Sequence, residues 1–196
     1  MLGTTMPTKT KPHRYTPAEY LDLEERSESK HEYRDGNIVP VAGGSINHNR
    51  IIRNLGRRLD MAFQGQPYEV FLSDLRLWIP SHRHYVYPDV MAIAGEPAFE
   101  GNRSDTVTNP ILIAEVLSDS TRNYDRGDKF QLYRSIPQLQ EYILIEQDSM
   151  QLEQYSKVRD RQWLLNEYHT EDAVLSLCSI EFQISLQDIY DRVPFK

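Results

Sequence analysis

The sequence has one cysteine and no long apolar run. Cys178 alone among 196 residues cannot form an intrachain disulfide framework or a cysteine-rich metal site. No apolar stretch approaches the ~20 residues that a membrane-spanning helix requires. The first residues are polar and lack the apolar core of a secretory signal peptide. We therefore expect a cytoplasmic protein.

Positive charge is also scarce. The chain carries 22 Lys and Arg against 29 Asp and Glu, which gives a net charge of -7. Because phosphate contacts dominate affinity for nucleic acids, this balance argues against a broad nucleic-acid-coating surface. It does not exclude a nuclease, since a bound divalent cation adds positive charge at the site and basic residues can cluster locally.

Length and composition suit a globular protein. The chain is 39% hydrophobic and 26% charged, with a mean hydropathy of -0.60. Residues 1–14 are polar and show no periodicity, so we expect them to be disordered. Residues 15–196 contain no repeat, linker or low-complexity tract, and we expect them to form one domain.

The N-terminal half contains clear helix and hairpin signals. Thr16, Pro17 and Glu19 form a capping-box pattern that predicts a helix to about residue 26. Asp35-Gly36 predicts a hairpin between residues 30–34 and 37–41. An amphipathic pattern predicts a second helix over about residues 47–63.

The remaining residues alternate between strands and two further helices. Strand patterns cover residues 68–79, 85–94, 111–117, 141–146, 150–157, 162–168 and 174–179. Helices are expected over about residues 122–135 and from Ser185. The last three strands form an antiparallel meander. The pattern predicts an α/β (α+β) domain with a mixed central sheet flanked by helices.

Two carboxylates interrupt apolar strands. Glu115 lies within ILIAEVL, and Asp89 follows Pro88 within a second apolar run. An ionised carboxylate in a buried strand costs several kcal/mol unless it is paired or binds a metal. Two carboxylates on neighbouring strands are a suitable ligand pair for Mg²⁺. The alternative is that Asp89 pairs with an arginine and Glu115 with a lysine for stability alone, and the residues by themselves leave both interpretations open.

The order of several short motifs resembles a bacterial family of proposed restriction endonucleases within the PD-(D/E)XK nuclease superfamily. The resemblance spans roughly residues 14–190. Its motifs are Tyr15-Thr-Pro-Ala-Glu-Tyr20, Glu32-Tyr-Arg-Asp-Gly36, His48, Tyr87-Pro-Asp-Val90, Pro110-Ile-Leu-Ile-Ala-Glu-Val-Leu-Ser118, Ser120-Thr121, Asp125-Arg-Gly-Asp-Lys129 and Glu141-Tyr-Ile-Leu-Ile145. It implies a restriction-endonuclease-like fold with the C-terminal meander as an addition.

The resemblance also implies a site. Asp89 and Glu115 would be metal ligands, completed by the backbone carbonyl of Val116, and Glu32 would join them. The superfamily's usual lysine lies two residues after the second acid, where this chain has Leu117. Lys129 on the following helix is the candidate replacement, because an ammonium needs only to reach the attacking water or the phosphate. Its alternative role is a local ion pair with Asp125.

Three further residues are candidates for contacts around that site. His48 could contact a phosphate or orient water, although an exposed or capping histidine is the more common case. Gln131 shares the helix of Lys129 and could face the site. Arg76, next to Asp74, could be a cross-strand partner or a DNA contact.

The function implied is Mg²⁺- or Mn²⁺-dependent hydrolysis of phosphodiester bonds in nucleic acid, most plausibly DNA, by a possible homodimer. The displaced lysine and the acidic charge keep an alternative open. In that alternative the chain is a catalytically degenerate nuclease fold that binds nucleic acid or protein without cutting.

Overall fold

A six-stranded mixed sheet forms the centre of the protein in the computed structural model, which describes residues 13–195. Its strand order is β11-β10-β9-β8-β6-β3. The strands are β3 (Tyr68–Leu72), β6 (Val90–Ala94), β8 (Pro110–Leu117), β9 (Glu141–Glu146), β10 (Leu152–Arg159) and β11 (Gln162–Tyr168). Neighbouring strands are antiparallel except for β8 and β9, which are parallel. The predicted α+β class is confirmed.

A second sheet of five strands has the order β2-β1-β5-β4-β7. Its strands are β1 (His31–Arg34), β2 (Asn37–Pro40), β4 (Arg76–Ile79), β5 (His84–Val86) and β7 (Thr106–Val107). The β1-β2 hairpin turns at Asp35 and Gly36, both with positive φ, as the Asp-Gly signal predicts. Strands β12 (Val174–Ser176) and β13 (Gln183–Ser185) form a separate pair, whereas the other two strands of the predicted meander extend the central sheet.

The helices are α1 (Pro17–Glu24), α2 (Ile46–Ala62), α3 (Arg122–Tyr124), α4 (Phe130–Tyr133) and α5 (Leu186–Ile189). The capping box at Thr16 and Glu19 is present, and Ser185 caps α5 as predicted. Between α3 and α4, residues Asp125–Lys129 form a π-helical turn. Within residues 13–195, no helix is long and apolar enough to cross a membrane.

Strands β8 and β9, in the middle of the central sheet, are buried on both faces, and β8 divides its side chains between two cores. Leu112, Ala114 and Val116 pack with α2 and α5 on one face. Ile113 and Leu117 pack with α4 on the other. Because side chains alternate along a strand, Glu115 lies on the α4 face. That alternation places a carboxylate beneath the π-helical turn.

Two strands predicted as continuous are broken. The predicted strand 68–79 ends at Leu72 and restarts at Arg76, and the predicted strand 85–94 is interrupted at Tyr87–Asp89. In each case one part joins the central sheet and the other the second sheet. Pro88 lacks the N–H that a ladder needs, which accounts for the second break. The bends meet where the Ser73 amide donates to the Asp89 carbonyl at 3.1 Å.

Residues 1–12 of the predicted disordered segment lie outside the described residues. Within that segment, Arg14 is described, and it pairs with Asp35. Thr121 precedes α3 without forming a side-chain cap, and its hydroxyl instead accepts from the Ser118 amide at 3.3 Å.

Candidate active site

The bend after β5 brings Asp89 against the middle of β8. Val90 pairs with Ala114, so Asp89 faces the end of β8 that carries Glu115 and Val116. The Val116 amide donates to Asp89 Oδ2 at 2.8 Å, and the Asp89 amide donates to Glu115 Oε2 at 3.4 Å. The backbone amides of Val116 and Asp89 therefore hold the Asp89 and Glu115 carboxylates in place where the two sheets meet.

Glu115 is 3% exposed and has two strong partners. The Tyr133 hydroxyl donates to its Oε1 at 2.7 Å, and Lys129 Nζ lies 2.8 Å from the same oxygen. Burial raises the pKa of Glu115 to about 8, with Asp89 and Asp125 adding to the rise and Lys129 opposing it. The carboxyl groups around Glu115 therefore outnumber the cationic side chains that could neutralise them.

Lys129 ends the π-helical turn and points into this group of acids. Its Nζ is 2.8 Å from Glu115, 3.4 Å from Asp125 and 3.8 Å from Glu32. Burial works against its charge, but these carboxylates, led by Glu115, raise the pKa of Lys129 well above its ordinary value. The side chain is thus a fixed ammonium ion. Short π-helical segments often occur at functional sites.

Glu32 reaches the same place from the second sheet. The Arg34 guanidinium donates to its Oε2 from Nε at 3.1 Å and from Nη2 at 2.6 Å. The Arg34 guanidinium also stacks over the Tyr124 ring at 3.8 Å. The other carboxylate oxygen of Glu32, Oε1, lies 3.8 Å from Lys129 Nζ. Glu32 is therefore held by an arginine on one side and a lysine on the other.

His48 lies in the first turn of α2, whose N-cap Ser45 accepts from the His48 amide. Its Nε2 is 3.1 Å from Asp89 Oδ2. On the other side, the ring packs so tightly on Gly44 that a Cβ there would lie 2.5 Å from Nδ1. The absence of a side chain at residue 44 thus lets the imidazole reach Asp89.

These residues line one cleft of about 580 Å³. Its walls carry the carboxylates of Glu32, Asp89, Glu115, Asp119 and Asp125. The cationic side chains on the walls are Arg34 and Lys129, with His48 beside Asp89. The cleft therefore carries an excess of negative charge, which favours a metal cation and repels an unaccompanied phosphate.

The donor set fits a hard cation held by two carboxylates. Within residues 13–195, no three Asp, Glu, His or Cys side chains are grouped closely enough to hold a metal together. Mg²⁺ takes oxygen ligands and commonly uses only one or two carboxylates, keeping several waters. Asp89 and Glu115 would supply that pair, and Val116 lines the same cleft. Glu32 is engaged by Arg34, so its predicted part in holding metal stays a prediction.

Two of the predicted contact residues lie elsewhere. Gln131 is exposed and lines a neighbouring groove rather than the cleft. Arg76 is buried, and its Nε donates to the Tyr87 hydroxyl at 3.0 Å among the rings of Tyr20 and Tyr85. Its surroundings are those of a structural cation that supports one wall of the cleft.

Sequence reasoning overlooked Asp125 as a member of the site. Asp125 is buried in the cleft 3.4 Å from Lys129, and its Oδ1 makes no hydrogen bond among the described residues. The four-residue spacing of this pair was a usable signal, but it also has a local explanation as a helical ion pair. Tyr133 shares the helix of Lys129, and a residue there could face either the site or the core. It is buried in the core, and its hydroxyl donates to Glu115 Oε1. Nothing in the sequence marks that contact.

A comparison with known families identifies the chain. Residues 17–187 match the model of the Uma2 family, described as "Putative restriction endonuclease". The chain belongs to the Uma2 family. This confirms the resemblance inferred from the motifs.

Two relatives come from Synechocystis sp. (strain ATCC 27184 / PCC 6803 / Kazusa). The uncharacterized protein sll1609 is 52% identical over 158 residues, which cover 81% of this chain and 89% of the relative. The uncharacterized protein slr1290 is 38% identical over 180 residues, which cover 92% of this chain and 93% of the relative. Both relatives are therefore matched over nearly their whole length.

A solved structure supports the fold. The Uma2 chain is similar, with a TM-score of 0.73, to the crystal structure of "a putative nuclease belonging to DUF820" from Anabaena variabilis ATCC 29413. The likeness covers 88% of this chain and 96% of that one at 18% identity. At that identity it bears on the fold alone, and it agrees with the restriction-endonuclease-like architecture predicted from the sequence.

Proposed function

We propose that this Uma2 protein is a Mg²⁺- or Mn²⁺-dependent nuclease that hydrolyses phosphodiester bonds, with DNA as its substrate. The observation that carries the proposal is the convergence of Asp89, Glu115 and Lys129 in one cleft, with Lys129 Nζ 2.8 Å from Glu115. Membership of the Uma2 family supports the same chemistry.

Asp89, Glu115 and the carbonyl of Val116 would hold the metal ion in this proposal. When bound, the ion would polarise the phosphate and lower the pKa of a bound water. The Val116 amide and His48 hold Asp89 Oδ2 in place. Tyr133 and Lys129 hold Glu115 Oε1, so the two carboxylates have little freedom to rotate.

Lys129 acts as an electrostatic stabiliser in this scheme. A general base must be deprotonated before it accepts a proton, and the surrounding acids keep this ammonium charged. Its charge can instead stabilise the attacking hydroxide or the negative charge that builds on the phosphate oxygens. Asp125 and Glu32 hold the ammonium in the cleft from two sides.

Metal binding is tested by titrating Mg²⁺ and Mn²⁺ into wild type and Asp89→Ala by calorimetry. We expect wild type to bind in the micromolar to millimolar range and Asp89→Ala to bind far more weakly. Asp60→Asn, which removes an exposed acid on α2, is the matched control and should bind as wild type does. Equal binding by wild type and Asp89→Ala would contradict the metal assignment.

Cleavage is tested separately on single-stranded DNA, duplex DNA and RNA. We expect Lys129→Ala to lower the cleavage rate by about 100-fold or more, the size of effect seen when a preorganised charge is removed from an active site. An unchanged rate in Lys129→Ala would show that the lysine assignment is wrong. Binding of metal and DNA without any cleavage by wild type would favour the alternative, a degenerate nuclease fold that only binds.

A further inference from the structure

A second groove adjoins the cleft and has a different chemistry. Its volume is about 380 Å³, and Arg34 and Tyr124 line both it and the cleft. Its remaining polar walls come from the β4-β5 hairpin and the Lys129 helix, and they comprise His82, His84, Asp128 and Gln131. A chain lying in the cleft can therefore continue past Arg34 and Tyr124 into this groove.

A guanidinium stacked on an aromatic ring forms the junction between the cleft and the groove. The Arg34 guanidinium stacks on the Tyr124 ring at 3.8 Å and is fixed by two hydrogen bonds to Glu32. The side chain of Arg34 remains 30% exposed. A guanidinium plane held in this way stacks well on a nucleobase.

Tyr124 has an unused hydrogen-bonding group at this junction. Its hydroxyl is buried and has no partner among residues 13–195. A buried hydroxyl without a partner is costly, so such a group is usually completed by a ligand or water. Burial also raises the pKa of Tyr124 to about 12, which keeps the hydroxyl protonated and able to donate.

The groove has little net charge to attract phosphate. Arg34 and Asp128 have opposite charges, and burial lowers the pKa of His84, which favours its neutral form. Nδ1 of His84 lies 2.7 Å from the His82 carbonyl and so donates to it, leaving Nε2 as an acceptor. Gln131 adds an amide that both donates and accepts. Neutral donors and acceptors beside flat rings match the edges of a base better than a phosphate.

We propose that this groove binds one unpaired nucleobase of the substrate, next to the scissile phosphate. The inference rests on the proposed nuclease function and adds a substrate preference to it. A base within a duplex is stacked and paired and cannot enter a side groove unless it is first extruded. A substrate with an unpaired nucleotide beside the cut, such as a gap, overhang or bulge, is therefore preferred over an uninterrupted duplex.

The test compares binding of two DNA duplexes of equal length, one fully paired and one with a central unpaired 2-aminopurine. Fluorescence anisotropy is measured with Ca²⁺ in place of Mg²⁺. We expect wild type to bind the DNA with the unpaired base about tenfold more tightly, the scale of one base stacking on a flat side chain. The 2-aminopurine fluorescence should be quenched as the base stacks.

The variants His84→Ala and Gln131→Ala should lose most of this preference while binding metal as wild type does. Gln138→Ala, which removes an exposed glutamine outside both pockets, is the control and should keep the preference. Circular dichroism checks that each variant is folded. If wild type binds both duplexes equally, or if His84→Ala and Gln131→Ala keep the preference, the base site is wrong and the nuclease proposal stands. If wild type binds neither DNA, both proposals fail.

Discussion

Glu115 and its neighbours show how one lysine is shared among several acids. Lys129 lies within 3.8 Å of Glu115, Asp125 and Glu32, yet it cannot neutralise all three. A buried carboxylate that lacks full compensation takes up a proton more readily than it does in water. Glu115, which makes the site attractive to a cation, therefore destabilises the fold when no cation is bound.

The raised pKa of Glu115 predicts how the free energy of unfolding depends on pH in metal-free solution. The pKa of Glu115 is raised by burial to about 8 in the folded protein, against an ordinary value of 4.5. Protonation of Glu115 contributes fully to the stability of the fold below pH 4.5, and this contribution is lost as the pH rises through 8. With EDTA present, we expect wild type to lose at least about 1 kcal/mol of unfolding free energy between pH 5 and 8, because one pKa unit corresponds to about 1.4 kcal/mol.

Glu115→Gln is the comparison for this prediction, since an amide imitates the neutral acid in shape and cannot titrate. Urea unfolding of both proteins from pH 5 to pH 8 separates Glu115 from the other titrating groups that they share. The variant should show a shallower pH dependence and exceed wild type in stability at the upper end. Parallel curves would mean that Glu115 is already ionised in the metal-free protein.

Single residues also mark the limit of sequence reasoning here. Asp89 and Glu115 are recognisable because a charge within an apolar strand needs a compensating partner. Lys129 and Glu32 carry no such local signal and were found through family resemblance. Gln131 shares the helix of Lys129 and could face the site, but it lines the neighbouring groove. Which side of a helix meets a cleft depends on tertiary packing, which a single sequence does not reveal.

At the scale of elements, interruptions position the site more than regular structure does. The breaks after Leu72 and Val86 let the chain change sheets, and the second break brings Asp89 beside β8. The sequence predicted these strands as continuous because apolar residues occur on both sides of each break. Pro88 cannot donate to a strand ladder, but a proline alone does not distinguish a bulge from a change of sheet.

The start of α2 gives an element-scale prediction. A Cβ on Gly44 would lie 2.5 Å from His48 Nδ1, and a side chain can move aside more easily than backbone. Gly44→Ala should therefore displace the imidazole from Asp89 without unfolding the protein. We expect Mg²⁺ affinity in calorimetry to fall about tenfold, the effect typical of losing a residue that orients a metal ligand.

Gly43→Ala is the matched control, because a Cβ there meets nothing within 4 Å. It should bind Mg²⁺ and melt as wild type does. Thermal melting of Gly44→Ala within a few degrees of wild type would show that the change is local. If Gly44→Ala bound Mg²⁺ as tightly as Gly43→Ala, the contact between His48 and Asp89 would have no part in metal binding.

For the whole molecule, the candidate site depends on both sheets. Glu32 belongs to the second sheet, Glu115 to the central sheet and Lys129 to the helix that follows β8. The overall charge of -7 and the acidic cleft both oppose the approach of a polyanion. Nucleic acid should therefore bind better once a divalent cation has reduced the negative charge of the cleft.

The possible homodimer is the remaining prediction at this scale, since cutting both strands of a duplex is simplest for an enzyme with two sites. Strand β11 lies at an edge of the central sheet and exposes Leu164 by 52% and Leu165 by 44%. Its one charged side chain is Glu167, and it contains no lysine or proline, the residues that commonly protect an edge from pairing. Two copies could join their β11 strands in antiparallel fashion, so we expect a particle of twice 23.0 kDa by light scattering coupled to size exclusion.

Leu164→Lys should give the monomer mass, because a charged residue on the edge opposes pairing. Val174→Lys, at an exposed position of strand β12, is the control and should leave the dimer intact. A wild-type monomer at micromolar concentration would contradict the homodimer, and a dimer that survives Leu164→Lys would place its interface elsewhere.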